Sequence, residues 1–176
     1  MSSSDLIRWA GLTAMLGGVA FIVMTLLGLA IPESAWTDVV FIVALLLVLV
    51  GLSGFHTLQK GSYGRVGRAG FYTVIVASLA QILGLVVLLA GSTALEWLIF
   101  PVGLLGVVVG FVLYGAATLQ ARVLPRWCGV GLIVGLPVWI VLGEYGVILF
   151  GLLWLALGYT LWSRSGAAVE RPARVS

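Results

Sequence analysis

The sequence predicts an all-α membrane protein: a bundle of six transmembrane helices arranged as three tandem hairpins, with both termini cytoplasmic. Three observations carry that expectation. The first is composition, since 62% of the 176 residues are hydrophobic, only 9% are charged and the mean hydropathy is +1.23. A water-soluble domain of this length could not bury so much apolar surface, so lipid must be the solvent for most of it. The second is the order of the charges. All nine Lys and Arg fall into four clusters (Arg8; Lys60, Arg65 and Arg68; Arg122 and Arg126; Arg164, Arg171 and Arg174), and the stretches between them carry only acids: Glu33 and Asp38, then Glu96, then Glu144. Basic and acidic ends that alternate along a chain are the pattern of a polytopic protein obeying the positive-inside rule. The third is Gly143-Glu144-Tyr145-Gly146, which breaks the last apolar stretch with turn residues and a charge.

Each span follows from the need for roughly 20 apolar residues to cross a hydrocarbon core about 30 Å thick. The first is read at 6–30. Gly28-Leu29-Ala30 has the small-x-small form of a signal-peptide site, but the preceding apolar run, Trp9 to Leu27, is about 19 residues, longer than the roughly 7–15 of a signal h-region. An uncleaved first span is therefore expected. The second is read at 37–58, with Asp38 in a first turn, where the helix dipole favours an acid. The third, 69–91, carries Gln81 near its middle. The fourth, 96–119, has a capping-box string, Thr93-Ala94-Leu95-Glu96, at its start and Pro101 as an expected kink.

The remaining apolar stretch, Trp127 to Trp162, would make one helix of 36 residues, about 54 Å at 1.5 Å per residue and too long for one crossing. Divided at Gly143 it gives spans at 127–142, with Pro137 as a second kink, and at 145–163. The division also returns Arg164, Arg171 and Arg174 to the side of every other basic residue. Residues 1–163 are thus expected to form one transmembrane domain, and 164–176 a disordered cytoplasmic tail.

The odd spans begin Arg8-Trp9-Ala10-Gly11, Arg68-Ala69-Gly70 and Arg126-Trp127-Cys128-Gly129, and the even spans end Thr57-Leu58-Gln59, Thr118-Leu119-Gln120 and Thr160-Leu161-Trp162. Such a pattern is expected of a two-helix unit repeated three times, or of chance in a chain rich in Leu and Gly. The chain also has 24 glycines. In lipid, small residues that let backbones approach hold helices together. Gly11 and Gly18, Gly103, Gly106 and Gly110, and Gly131 and Gly135 are therefore the expected packing faces, turned into the bundle or toward another subunit. Trp9, Trp36, Trp97, Trp127 and Trp162 fall near span ends, where indoles suit the interface.

Candidate chemistry is sparse. No charged residue lies at mid-span, which argues against proton pumps and voltage sensors. Gln81 is the one strongly polar side chain near the midplane, suited either to a ligand or to an interhelical hydrogen bond. His56, the single histidine, shares a helix face with Ser53 at i, i+3. The Gly51-Leu52-Ser53-Gly54 string resembles the nucleophile segment of rhomboid intramembrane proteases, which would imply serine hydrolysis at Ser53. Rhomboids draw their catalytic histidine from a different helix, and this chain offers none, so no catalytic centre is expected. Three hairpins also resemble mitochondrial carriers in outline, but the Pro-x-Asp/Glu-x-x-Lys/Arg signature of those proteins does not occur.

Near the basic ends of the even spans, Gln59, Tyr114, Gln120 and Tyr159 lie at the depth of His56 and could form a polar ring over an apolar cavity. At the acidic ends, Glu33, Asp38, Glu96 and Glu144 could form a shared cation vestibule. The single cysteine, Cys128, excludes an intramolecular disulfide, and the absence of metal-ligand spacing leads us to expect no metal or cofactor. The Gly61–Gly70 string lacks the Walker pattern, so a lipid phosphate is a plausible contact and a nucleotide is not. Basic residues at helix ends point to lipid headgroups rather than nucleic acid. The function expected is binding of a lipophilic or amphiphilic small molecule, or of a partner's transmembrane helix, in a prokaryotic cytoplasmic membrane, with homo-oligomers as a further possibility. The alternative is a small transporter or channel with Gln81 at its midplane and the acids at its mouth.

Overall fold

The computed structural model describes residues 3–32 and 34–167, nearly all of them helical. Six helices follow in order: α1 (Ser3–Ala30), α2 (Ala35–Gln59), α3 (Arg65–Leu89), α4 (Leu105–Ala121), α5 (Arg126–Leu142) and α6 (Glu144–Ala167). A 3₁₀ turn (Glu96–Leu98) and a π turn (Ile99–Leu104) lead directly into α4. The fourth helical path therefore runs from Glu96 to Ala121, 26 residues in all. Five such paths are long and apolar enough to cross a membrane. With 17 residues, α5 reaches only about 25 Å, short of the hydrocarbon thickness of about 30 Å.

Large apolar side chains cover the perimeter. Leu16, Val43, Leu79, Val109 and Leu152 are exposed, and Val141 is 81% exposed. Water would not tolerate apolar patches on this scale, whereas acyl chains match them. This is an integral membrane bundle in its surface chemistry.

Neighbours in sequence are neighbours in space, and α1 closes the ring against α6. The α1–α6 contact is the most extensive of all, and α2–α3 is the loosest link between sequence neighbours. Glycine explains the α1–α6 seam. A Cβ at Gly18 would come 2.5 Å from the Gly151 carbonyl oxygen, and one at Gly158 would come 2.6 Å from that of Gly11. Seven residues, two helical turns, separate the glycines on each helix, so the two backbones touch twice along one face. Inside the ring, Phe21 meets Phe41, Trp139 and Phe150 edge-on at centroid distances of 6.0, 5.7 and 5.2 Å. Those rings join α1, α2, α5 and α6 at the centre.

Local chemistry sets the helix ends. Ser34 Oγ accepts the Trp36 N–H at the start of α2. Gly91, at φ +85°, follows the end of α3, and Gly143, at φ +57°, separates α5 from α6. Three departures from the sequence expectations follow. The capping box does not form: Leu95 precedes the 3₁₀ turn without a side-chain cap. Pro101 lies in a π turn, because a residue without an N–H cannot continue a regular ladder there. Finally, α3 starts at Arg65, so Arg65, Gly67 and Arg68 are helical rather than loop residues. Glu33, Arg171 and Arg174 lie outside the described residues, as does 168–176 of the expected tail, while α6 continues through Ala167.

Candidate functional site

The described acids of the loops and helix starts beyond the first turn of α1 (Asp38, Glu96 and Glu144) sit at one end of the bundle. The described Lys and Arg cluster at the other, where Arg8 lies over Trp162 and Arg164 donates to the Val123 carbonyl. At the acidic end the ring opens into a cavity of about 480 Å³, within the range of roughly 300–1,000 Å³ that accommodates small organic ligands. Phe41 of α2, Leu85 of α3, Phe100 of the π turn and Trp139 of α5 form its apolar wall. Thr37, Asp38 and Gln81 supply its polar side chains. The space exists where the bundle is least regular: the loose α2–α3 pair, the π turn and the short α5 all border it.

Gln81 is 5% exposed and donates from Nε2 to the Ile99 carbonyl oxygen at 3.1 Å. Its stem lies where a Cβ on Gly103 would stand, so the glycine is what lets the amide reach the π turn. Beneath the cavity lies a void of only about 20 Å³, room for roughly one water. Phe41, Gln81, Leu104 and Trp139 line both spaces and form the partition between them. Among the described residues, Asp38 has no ion-pair or hydrogen-bond partner, and the shielded Thr37 Oγ1 has none either.

A second polar cluster occupies the basic end. Tyr63, in the turn between α2 and α3, points into the bundle and is only 5% exposed. Its hydroxyl hydrogen-bonds His56 Nδ1, and its ring meets Tyr114 edge-on at 5.8 Å. Phe71 stacks on the His56 imidazole at 4.0 Å. Gln59 Nε2 donates to Tyr114 Oη at 3.5 Å, while Gln59 Oε1 is buried without a partner. Burial pushes the Tyr63 phenol up to about 12, so it is a neutral donor throughout the physiological range. These largely buried, mutually bonded groups close the basic end of the bundle beside Tyr114 as a polar plug.

The residues singled out in the sequence thus divide. His56, Gln59 and Tyr114 meet in the plug, together with Tyr63, whose glycine-flanked turn reads in sequence as a surface loop. Gln120 and Tyr159 are exposed and stand apart, with Tyr159 against Trp162. Ser53 Oγ donates to the Leu49 carbonyl at 2.9 Å, so Ser53 and His56 turn to different partners. Of the acids, Asp38 lines the cavity, and Glu96 and Glu144 are exposed. No group of three or more His, Cys, Asp or Glu among the described residues could hold a metal ion. The packing glycines meet neighbouring helices: Gly106 meets Ala77, Gly110 meets Val74, and Gly131 and Gly135 both meet Leu153, while Gly106, Gly131 and Gly135 also border grooves open to the perimeter of the bundle. Comparison with protein-family models, with curated proteins and with solved structures finds no match to this chain.

Proposed function

We propose that this is a multi-pass protein of a prokaryotic cytoplasmic membrane, with both termini cytoplasmic, that binds a lipophilic or amphiphilic small molecule without transforming it. The observation that carries this reading is the cavity at the acidic end, with aromatic and aliphatic walls and a few convergent polar groups. The orientation rests on the basic residues, which gather at the end that the positive-inside rule assigns to the cytoplasm. The cavity therefore faces outward. The glycine faces of Gly11, Gly18 and Gly110 are filled within the chain itself; a partner's transmembrane helix is the alternative occupant, and its place would be the surface grooves beside Gly106 and beside Gly131 and Gly135.

The test is photolabelling of the protein in phosphatidylcholine nanodiscs with an alkyl diazirine, followed by peptide mapping. Label concentrated on Phe100, Trp139 and Ile140, and displaced by excess unlabelled alkyl alcohol, is the expected result. Label spread evenly over the lipid-facing Val and Leu side chains, with no displacement, would remove the reading.

One observation favours a second reading, a small transporter. The void below Gln81 continues the line of the cavity toward the bundle centre. Gln81 would then stand at the floor of an outer vestibule, and Gln81→Leu should lower solute flux in liposomes. Flux equal to that of protein-free vesicles, across ions and small polar solutes, would end that reading.

A further inference from the structure

We propose that the cavity selects cationic amphiphiles, with Asp38 receiving the positive head and the Phe41–Leu85–Phe100 wall receiving the apolar body. The inference rests on the binding reading above and adds the sign of the ligand's charge. Among the described residues, Asp38 is the only charged one lining the cavity. It lies in the first turn of α2, half-buried, and no described side chain forms an ion pair with it. Every described Lys and Arg is near the opposite end, so the described residues supply no counter-ion.

A carboxylate facing an apolar space attracts a cation more strongly than it would in water, because the surroundings screen less. The same carboxylate repels an anionic head. Beside it, Thr37 Oγ1 has no hydrogen-bond partner among the described residues. That oxygen is shielded where it stands, and a turn of the Thr37 side chain about χ1 would let it accept from an ammonium N–H beside the carboxylate. The body of the ligand would extend from this corner toward Trp139 and Gln81 at the floor.

Three probes with one tail and different heads test this: dodecylammonium, dodecanol and dodecanoate, each competing against alkyl-diazirine labelling of the cavity wall. Dodecylammonium is expected to compete about tenfold or more better than dodecanol, and dodecanoate worst of the three. In Asp38→Asn the advantage of the cation over dodecanol should fall to about twofold or less, with dodecanol still competing as the sign that the cavity is formed. Glu96→Gln removes a charge from the same end of the bundle but not from the cavity, and it should leave the advantage in place.

Equal competition by all three probes in the native protein would overturn the proposal and leave the cavity reading standing. So would an advantage that survives Asp38→Asn, or one that Glu96→Gln reduces equally. No competition by any probe would overturn the cavity reading as well.

Discussion

The Gln81 side chain donates to the Ile99 carbonyl oxygen at 3.1 Å, and so ties the middle of α3 to the π turn near the start of the fourth helical path. The bond lies on the partition between the cavity at the acidic end and the small void below it. One amide therefore serves both a helix junction and a cavity floor.

Removing it should carry a modest cost. Interhelical hydrogen bonds in membrane proteins are worth about 1 kcal/mol, so Gln81→Leu should lower the melting temperature in mild detergent by a few degrees. Gly103→Ala should act partly through the same contact, because its new Cβ takes the place of the Gln81 stem, and partly against the Leu98 carbonyl oxygen. Gly103→Ala is therefore expected to cost more alone than in the Gln81→Ala background. A double-mutant cycle checks this, and strict additivity would show the two residues to be independent.

The α1–α6 seam makes a sharper prediction. A methyl group at Gly18 or Gly158 meets backbone, which cannot swing aside as a side chain can. Gly18→Ala and Gly158→Ala should each destabilise by about 1–3 kcal/mol. Gly61→Ala should change stability little, since a Cβ there meets nothing within 4 Å. Melting curves of the three variants are sufficient, and equal values would refute the backbone-contact account.

Six helices are legible in the sequence because the physics that makes them is local: a run of about 20 apolar residues, ended by charge or by turn residues such as Gly143. The way they meet is less so. Gly151 and Gly158 repeat the seven-residue spacing of Gly11 and Gly18, yet nothing in one chain says which glycine faces pair. Pro101 announces an irregularity without saying that it becomes a π turn. Tyr63 is the clearest case at the plug. Its polar, glycine-rich neighbourhood suggests a headgroup contact, and only the space beside Gly67 shows that the ring folds inward against the helix. The cavity depends on three such non-local features at once, which is why Gln81 and Asp38 can be picked out singly but not assigned to one wall.

The plug predicts an alkaline dependence. The Tyr63 phenol is pushed from its ordinary value of 10.0 up to about 12 by burial. The folded protein thus holds the neutral phenol more firmly than the unfolded chain does. That contribution is complete below about pH 10 and is lost as the pH rises toward 12. Tyr63→Phe should cost about 1 kcal/mol at pH 7 through the lost bond to His56, and its stability should fall less steeply than the native protein's above pH 10. Parallel pH profiles for the two proteins would sink the argument.

The corner between α5 and α6 ends the cavity wall and rests on one residue. Gly143 adopts φ 57° and ψ −127°, a conformation that side chains strongly disfavour, typically by about 1–3 kcal/mol. The same residue borders the cavity, beside Ile140. Gly143→Ala should therefore lower stability by that order and reshape the cavity mouth. A β-branched Val should be worse than Ala. Glu144→Gln, one residue further on and exposed, should do neither, because it changes charge without changing the backbone. Melting temperature and diazirine labelling of Ile140 read the two effects separately. If Gly143→Ala melts like the native protein, the turn must relax to an ordinary conformation, and the strict geometric demand at that corner would be wrong.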